Sequence, residues 1–326
     1  MIKNKTKKHT FINKIYIILL LCVILLLVIQ PTTAITSFGQ GVIIWGTKIL
    51  PALLPFFILT NLLSYTSFTN TIGKRLSPIT KKIYGVGGSA GYIYIMSILS
   101  GYPVGAKLTC DLYKNNIISS GQAKSITAFT STSGPLFIIG TVGIGFFQNQ
   151  KIGVIVLISH LISALINGLI YKCKEKEKIT FYNITQSSNT NTLNLSMTNG
   201  ITSIMIVGGF VALFYMILTL LDSLNIFSIP ILLLGKLGCP PDISSSIING
   251  IIEVTSGALS LSKCNLSPMA SSTILSFLVS FGGLSIHAQA YCFLKEFNMS
   301  YRQFLKQKIT HAIISASVTF VIFLLF

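Results

Sequence analysis

Apolar runs long enough to cross a lipid bilayer recur along the whole chain, and short polar loops between them carry most of the charge. The runs fall at 15–30, 41–67, 86–117, 125–147, 152–171, 200–222, 226–262, 268–292 and 309–326. A hydrocarbon core about 30 Å thick takes about 20 helical residues, and a helix pairs its own backbone groups where no water can. Seven of the runs predict full spans. The other two, 86–117 and 226–262, are too long for one span and are interrupted, so they predict helical hairpins that enter and leave on one side. The expected fold class is an all-α polytopic membrane protein with about seven spans and two re-entrant hairpins.

The interruptions are specific. SGYPVGAK at 100–107 sets Ser100, Gly101, Tyr102, Pro103 and Gly105 before a lysine, Lys107. FTSTSGPLFIIG at 129–140 sets Thr132 and Ser133 before Gly134 and Pro135. NGIIEVTSGALS at 249–260 and SFGGLSIHAQAY at 280–291 break the second half. Aligning Gly101 with Gly250 and Gly134 with Gly282 gives two pairs of breaks at nearly equal spacing. This order of span, hairpin and two further spans occurs twice, which predicts an internal repeat. The division is then a basic segment and first span at 1–34, a first repeat at 35–171, a polar linker at 172–199, and a second repeat at 200–326.

Charge sets the orientation. The chain is 51% hydrophobic and only 10% charged, with a mean hydropathy of +0.74, whereas soluble domains carry about 25% charged residues. The net charge of +17 does not point to nucleic acid, because no continuous basic face is visible. With the N-terminus in the cytoplasm, the segments 1–14, 70–84, 172–178 and 295–308 and the first hairpin hold twenty of the 24 Lys and Arg residues on the inner side. Only Lys48, Lys151, Lys236 and Lys263 fall outside, as the positive-inside rule requires. The two repeats then run in opposite directions, the inverted topology of many secondary transporters. The six cysteines form no CxxC pair and read as apolar fillers.

Broken backbone in a membrane is tolerated where it lines protein or a water-filled cavity, so the breaks mark the candidate site. Half-helix N-termini present free N–H groups that suit an anion. Lys107 is either a fixed cation for that anion or a side chain reaching the inner interface, with Asp111 one turn on to neutralise it. The hydroxyls of Thr132 and Ser133 bind a ligand or repair the helix. Glu253, among Asn249, Thr255 and Ser256, is an intramembrane carboxylate, and such a group is expensive enough to suggest function. It carries a coupling proton, ligates Na⁺, pairs with Lys107 or makes a structural hydrogen bond. Ser285, His287 and Gln289 complete the substrate-binding candidates; His160 and His311, inside single spans, are weaker. No nucleophile–base pair, phosphate loop or metal-ligand spacing is present, so neither an enzyme nor a resident cofactor or metal is expected. The coupling ion, H⁺ or Na⁺, is left open.

At SGYPVGAK, FTSTSGPLFIIG, NGIIEVTSG and SFGGLSIHAQ the chain resembles the YlbJ-type sporulation integral membrane proteins, from about residue 40 onward. That family is similar to the concentrative nucleoside transporters, whose fold has inverted repeats and helical hairpins. The resemblance implies a transporter that carries dipicolinic acid, a small aromatic dicarboxylate, across the outer forespore membrane. The expected partners are that anion and the lipid bilayer. Two other readings stay open: a nucleoside or small-metabolite carrier of the same fold, and a membrane scaffold that transports nothing.

Overall fold

The computed structural model describes residues 17–174 and 191–325; the basic segment ahead of Ile17 and most of the polar linker fall outside them. Among the described residues there are only helices and the turns between them. A short helix α1 (Ile17–Ile29) passes through Gln30 into α2 (Pro31–Ile44), which continues by a π turn (Trp45–Ile49) into α3 (Leu50–Ser64). The order then is α4 (Phe68–Tyr84), α5 (Gly88–Ser100), α6 (Val104–Lys114), α7 (Ser120–Thr130), a π-helical segment (Leu136–Phe146) and α8 (Gln150–Ile170). The second half has α9 (Thr192–Ser223), α10 (Ser228–Lys236), α11 (Pro241–Ile252), α12 (Val254–Leu261), α13 (Pro268–Phe281), α14 (Gly283–Leu294) and α15 (Tyr301–Leu325).

Five stretches are long and apolar enough to cross a membrane: 31–64, α8, α9, 268–297 and α15. That is fewer than the seven expected. The run at 15–30 is a short helix joined to the next one, and 125–147 divides at Ser131–Gly134 into α7 and the π segment. Segment 70–84, expected as a loop, is α4, bent by 100° from α5. Gly85, at φ 70°, ends α4 and lets its N–H reach Lys81 O, a left-handed stop that favours glycine. The second hairpin is shorter than 226–262, because α10 is a separate helix with no buried residue. The linker ends sooner than expected, since α9 begins at Thr192.

Local sequence accounts for the helix ends. The Ser119 hydroxyl accepts from Gln122 N–H while the Gln122 side chain accepts from Ser119 N–H, a reciprocal cap on α7. Asn149 caps α8 through its side-chain oxygen. The long pair α2–α3 lies antiparallel along α9: Gln30 meets Ser223, Trp45 Nε1 donates to Ile204 O at 3.1 Å, and Tyr65 meets Asn199. Serines and threonines line the packing of α13 on α15, with Ser276 and Thr319 hydroxyls 2.6 Å apart; small polar residues let membrane helices approach closely.

The loops sort into two ends. Cys173 N–H donates to Tyr84 O, Ser120 Oγ to Phe297 O, and Gln307 Nε2 to Lys124 O. Lys114 lies 3.3 Å from Glu296 there, an exposed pair that solvent screens; the hydrogen bond to Glu296 raises the Lys114 pKa above its ordinary value. Tyr84, Val86, Ile117, Cys173 and Phe297 share one buried cluster, so both open ends of the α5–α6 hairpin lie at this end. At the other end Thr141 Oγ1 donates to Lys48 O, and the α11–α12 hairpin opens where Ser246 meets Cys264. Helix α8 runs from one end to the other and, at about 1.5 Å per residue, is about 30 Å long. Lys308, read as an inner-loop charge, instead lies in α15 and is only 1% exposed.

Candidate functional site

Four breaks meet halfway along α8. The first, Gly101–Pro103, separates α5 from α6. Gly101 has φ 74° and packs so closely on the second break that a Cβ there would come 2.6 Å from Gly134 N. Only glycine supplies both that dihedral and that approach. In the second half α11 stops at Glu253 and α12 starts after it, so this break lies three residues beyond Gly250. It packs on the fourth break, Gly282–Gly283, where a Cβ on Gly283 would lie 3.0 Å from Gly250 O. Each half thus closes one break against another by backbone contact.

Between the two pairs lies a cavity. Ser100, Gly101, Tyr102, Ser133 and Gly134 line it from the first half, and Glu253, Thr255, Ser285 and Gln289 from the second. Apolar side chains of α3, the π segment and α9, among them Leu53, Phe137 and Val207, complete the wall. The Ser285 hydroxyl is buried without a protein partner, as is fitting for a group that meets a ligand. The free volume is about 50 Å³, room for a few waters. A second space of about 340 Å³ reaches the size range of ligand pockets. It is lined by Tyr65, Tyr92, Lys107, Asp111 and Asn199, and it shares Ser100 with the inner cavity. It forms a vestibule on the side of the basic loops.

The remaining candidates fall around this core. Lys107 is half-buried in the vestibule and does not line the inner cavity. Pro103 precedes α6, and Thr132 Oγ1 donates to Ser97 Oγ at 3.3 Å. Asn249 offers its carbonyl to Glu253 N–H at 2.7 Å. His287 stands behind the fourth break, donating from Nε2 to Phe281 O at 2.9 Å, with Nδ1 3.2 Å from Tyr301 Oη.

The half-helix N–H groups are less free than the sequence suggests. Glu253 is the N-cap of α12: Oε1 accepts from Thr255 N–H at 3.0 Å, and Oε2 from Ser256 N–H at 2.7 Å and Ser256 Oγ at 2.9 Å. Its carboxylate therefore occupies the positive end of that helix. At the second break, Ser133 N–H donates to His160 Nε2 at 2.9 Å. A ring nitrogen that accepts carries no proton, so His160 is protonated at Nδ1, toward Ser280 Oγ at 2.7 Å.

The largest omission from the sequence reading is Lys308. Its side-chain nitrogen contacts Tyr102 Oη and Ser131 O, and the Tyr102 hydroxyl donates to the same carbonyl. His311 lies one turn on; its Nε2 donates to His160 O, and the two imidazoles stand 4.7 Å apart. The signal was present as a polar stripe: Gln307, Lys308, His311, Ser315 and Thr319 recur at helical spacing and are all buried. Placing the start of the last span at 309 cut that stripe in two.

Residues 47–150 match the family described as Gate, nucleoside recognition. The chain is also 29% identical over 315 residues, covering 88% of its length and 77% of the relative, to the sporulation integral membrane protein YlbJ of Bacillus subtilis. No solved structure matches the chain. With its apolar spans the chain is an integral membrane protein, similar over residues 47–150 to the Gate, nucleoside recognition family and over most of its length to YlbJ.

Proposed function

We propose that this protein is a sporulation membrane transporter that moves dipicolinate across the outer forespore membrane by alternating access. The observation that carries the reading is the meeting of four helix breaks at one cavity midway along α8, with a larger vestibule that shares Ser100 with it on one side. Substrate enters by the vestibule, past Lys107. The inner cavity, too small for it in this conformation, opens as one half rocks against the other. The repeated element order, and hairpins that open at opposite ends, support an inverted repeat. The concentration of basic loops at the vestibule end supports a cytoplasmic placement of that end and of the N-terminus. An anionic substrate is supported by Lys107 in the vestibule, beside Asp111, and by Lys308 behind Tyr102, while the one carboxylate of the inner cavity, Glu253, is already engaged in a cap.

The Gate match favours a second reading, a nucleoside carrier of the same architecture. The test is uptake of radiolabelled dipicolinate into vesicles containing the purified protein, with unlabelled dipicolinate and uridine as competitors. Saturable uptake blocked by dipicolinate alone supports the first reading. Uridine uptake without dipicolinate uptake replaces it by the second, and no uptake of either by folded protein returns the scaffold.

A further inference from the structure

Lys308 is a fully buried amine held by neutral oxygens, Tyr102 Oη and Ser131 O. Among the described residues no carboxylate lies within salt-bridge distance of it. The ionisable groups on the elements packed around α15 point the same way. Helix α8 brings His160 and, at its far end, Lys151; α7 brings Lys124; α14 brings His287, Tyr291 and Cys292; α15 itself adds His311 and Tyr301, with Arg302 and Lys306 exposed; α13 brings none. All three histidines lie within electrostatic reach of Lys308. His160 accepts an N–H bond at Nε2, and His287 and His311 each spend Nε2 on a backbone carbonyl. Glu253 lines the same cavity, but three hydrogen bonds commit its carboxylate to α12.

A lone ammonium is costly in such a place, and so is a lone carboxylate. Together, with their hydrogen bonds made, they offset much of each other's cost. Tyr102 connects this amine to the cavity: the residue lines the wall and its hydroxyl contacts Lys308 Nζ. We propose that Lys308 is the proton-accepting counter-cation of the site, which binds a carboxylate ligand and takes up one proton with it. One carboxylate of the ligand takes the place of the Tyr102 hydroxyl at Lys308, a proton from solvent bonds to the Nζ lone pair, and that carboxylate and the new ammonium form a neutral pair; a monocarboxylate is then bound without net charge, and a dicarboxylate with one negative charge left over. This rests on the reading of the site as one for an organic anion, and it makes the coupling ion a proton.

The experiment is titration calorimetry of the whole protein in nanodiscs, in two buffers of different ionisation enthalpy. The probes are dipicolinate, nicotinate as a single carboxylate, and uridine. The expected result is uptake of about one proton per ligand bound, for dipicolinate as for nicotinate. Lys308→Met should lose that uptake together with at least tenfold in affinity. Lys308→Gln keeps a donor for Ser131 O but takes up no proton, and should bind equally poorly; it decides the matter if the Met variant fails to fold. Carboxylate binding without proton uptake, or with uptake unchanged in both variants, overturns the inference and leaves the transporter reading intact. Nicotinate bound with Lys308-dependent proton uptake, but dipicolinate not bound, supports the inference and removes dipicolinate as substrate. Binding of uridine alone, or of no probe, overturns it.

Discussion

Removing the carboxylate of Glu253 should cost stability first and transport second. The side chain accepts three hydrogen bonds at the start of α12, two from backbone N–H groups and one from a hydroxyl. A lost N-cap costs about 1 kcal/mol, and each buried donor left unpaired costs about 1–3 kcal/mol. Glu253→Ala frees both N–H groups and the Ser256 hydroxyl, and the cavity's few waters can satisfy some of them. The net loss should be about 3 kcal/mol, a fall in melting temperature of roughly 6 °C on the scale of large soluble domains. Glu253→Asp supplies a side chain that caps well at this position and should recover at least half of the loss. Glu253→Gln keeps one acceptor and sets an amide N–H against a backbone N–H, so it should fall between them. The assay is thermal unfolding of purified protein in one detergent, followed by tryptophan and tyrosine fluorescence. If Glu253→Ala melts with the wild type while its uptake disappears, the capping argument is wrong and the carboxylate acts on ion or substrate directly.

Three further outcomes follow from the same geometry. Gly101→Ala places a Cβ 2.6 Å from Gly134 N at a φ of 74°; strain and overlap together should cost about 3 kcal/mol or more, seen as little folded protein in the membrane fraction. Lys107→Ala should cut dipicolinate uptake severalfold at unchanged protein level. The deficit should shrink at high salt, where a vestibule charge is screened, and unchanged uptake at low salt removes Lys107 from the route. In a cysteine-free background, Lys82→Cys and Lys263→Cys, both exposed, should react with an impermeant maleimide from opposite sides of the membrane; labelling of both from one side refutes the two-ended arrangement of the loops.

Much of the architecture was legible in the chain because a bilayer imposes a simple rule: every spanning segment must be apolar and must satisfy its own backbone. The spans at 152–171, 200–222 and 268–292, both hairpins and all four breaks could therefore be located from runs of apolar residues and from Gly and Pro. The basic loops also betrayed which segments share one end. Nine of the proposed site residues line the cavity because broken backbone has to be covered by something, and the breaks cover one another. The resemblance to YlbJ-type proteins rested on those same breaks, where the residue choice is narrowest.

What the chain alone left open depended on partners far apart in sequence. Whether Glu253 was a free carboxylate or a cap turned on the dihedrals of one residue, which a hydropathy pattern does not report. Lys107 and Lys308 look alike as lysines beside apolar runs. Packing sends the first to a vestibule and buries the second against Tyr102 and Ser131, about 200 residues away in the chain. Composition and periodicity determined that this protein spans a membrane and breaks its helices at four places, because lipid acts on each segment separately. Only the tertiary structure decided which charge stands at the centre, because that depends on which helices are neighbours.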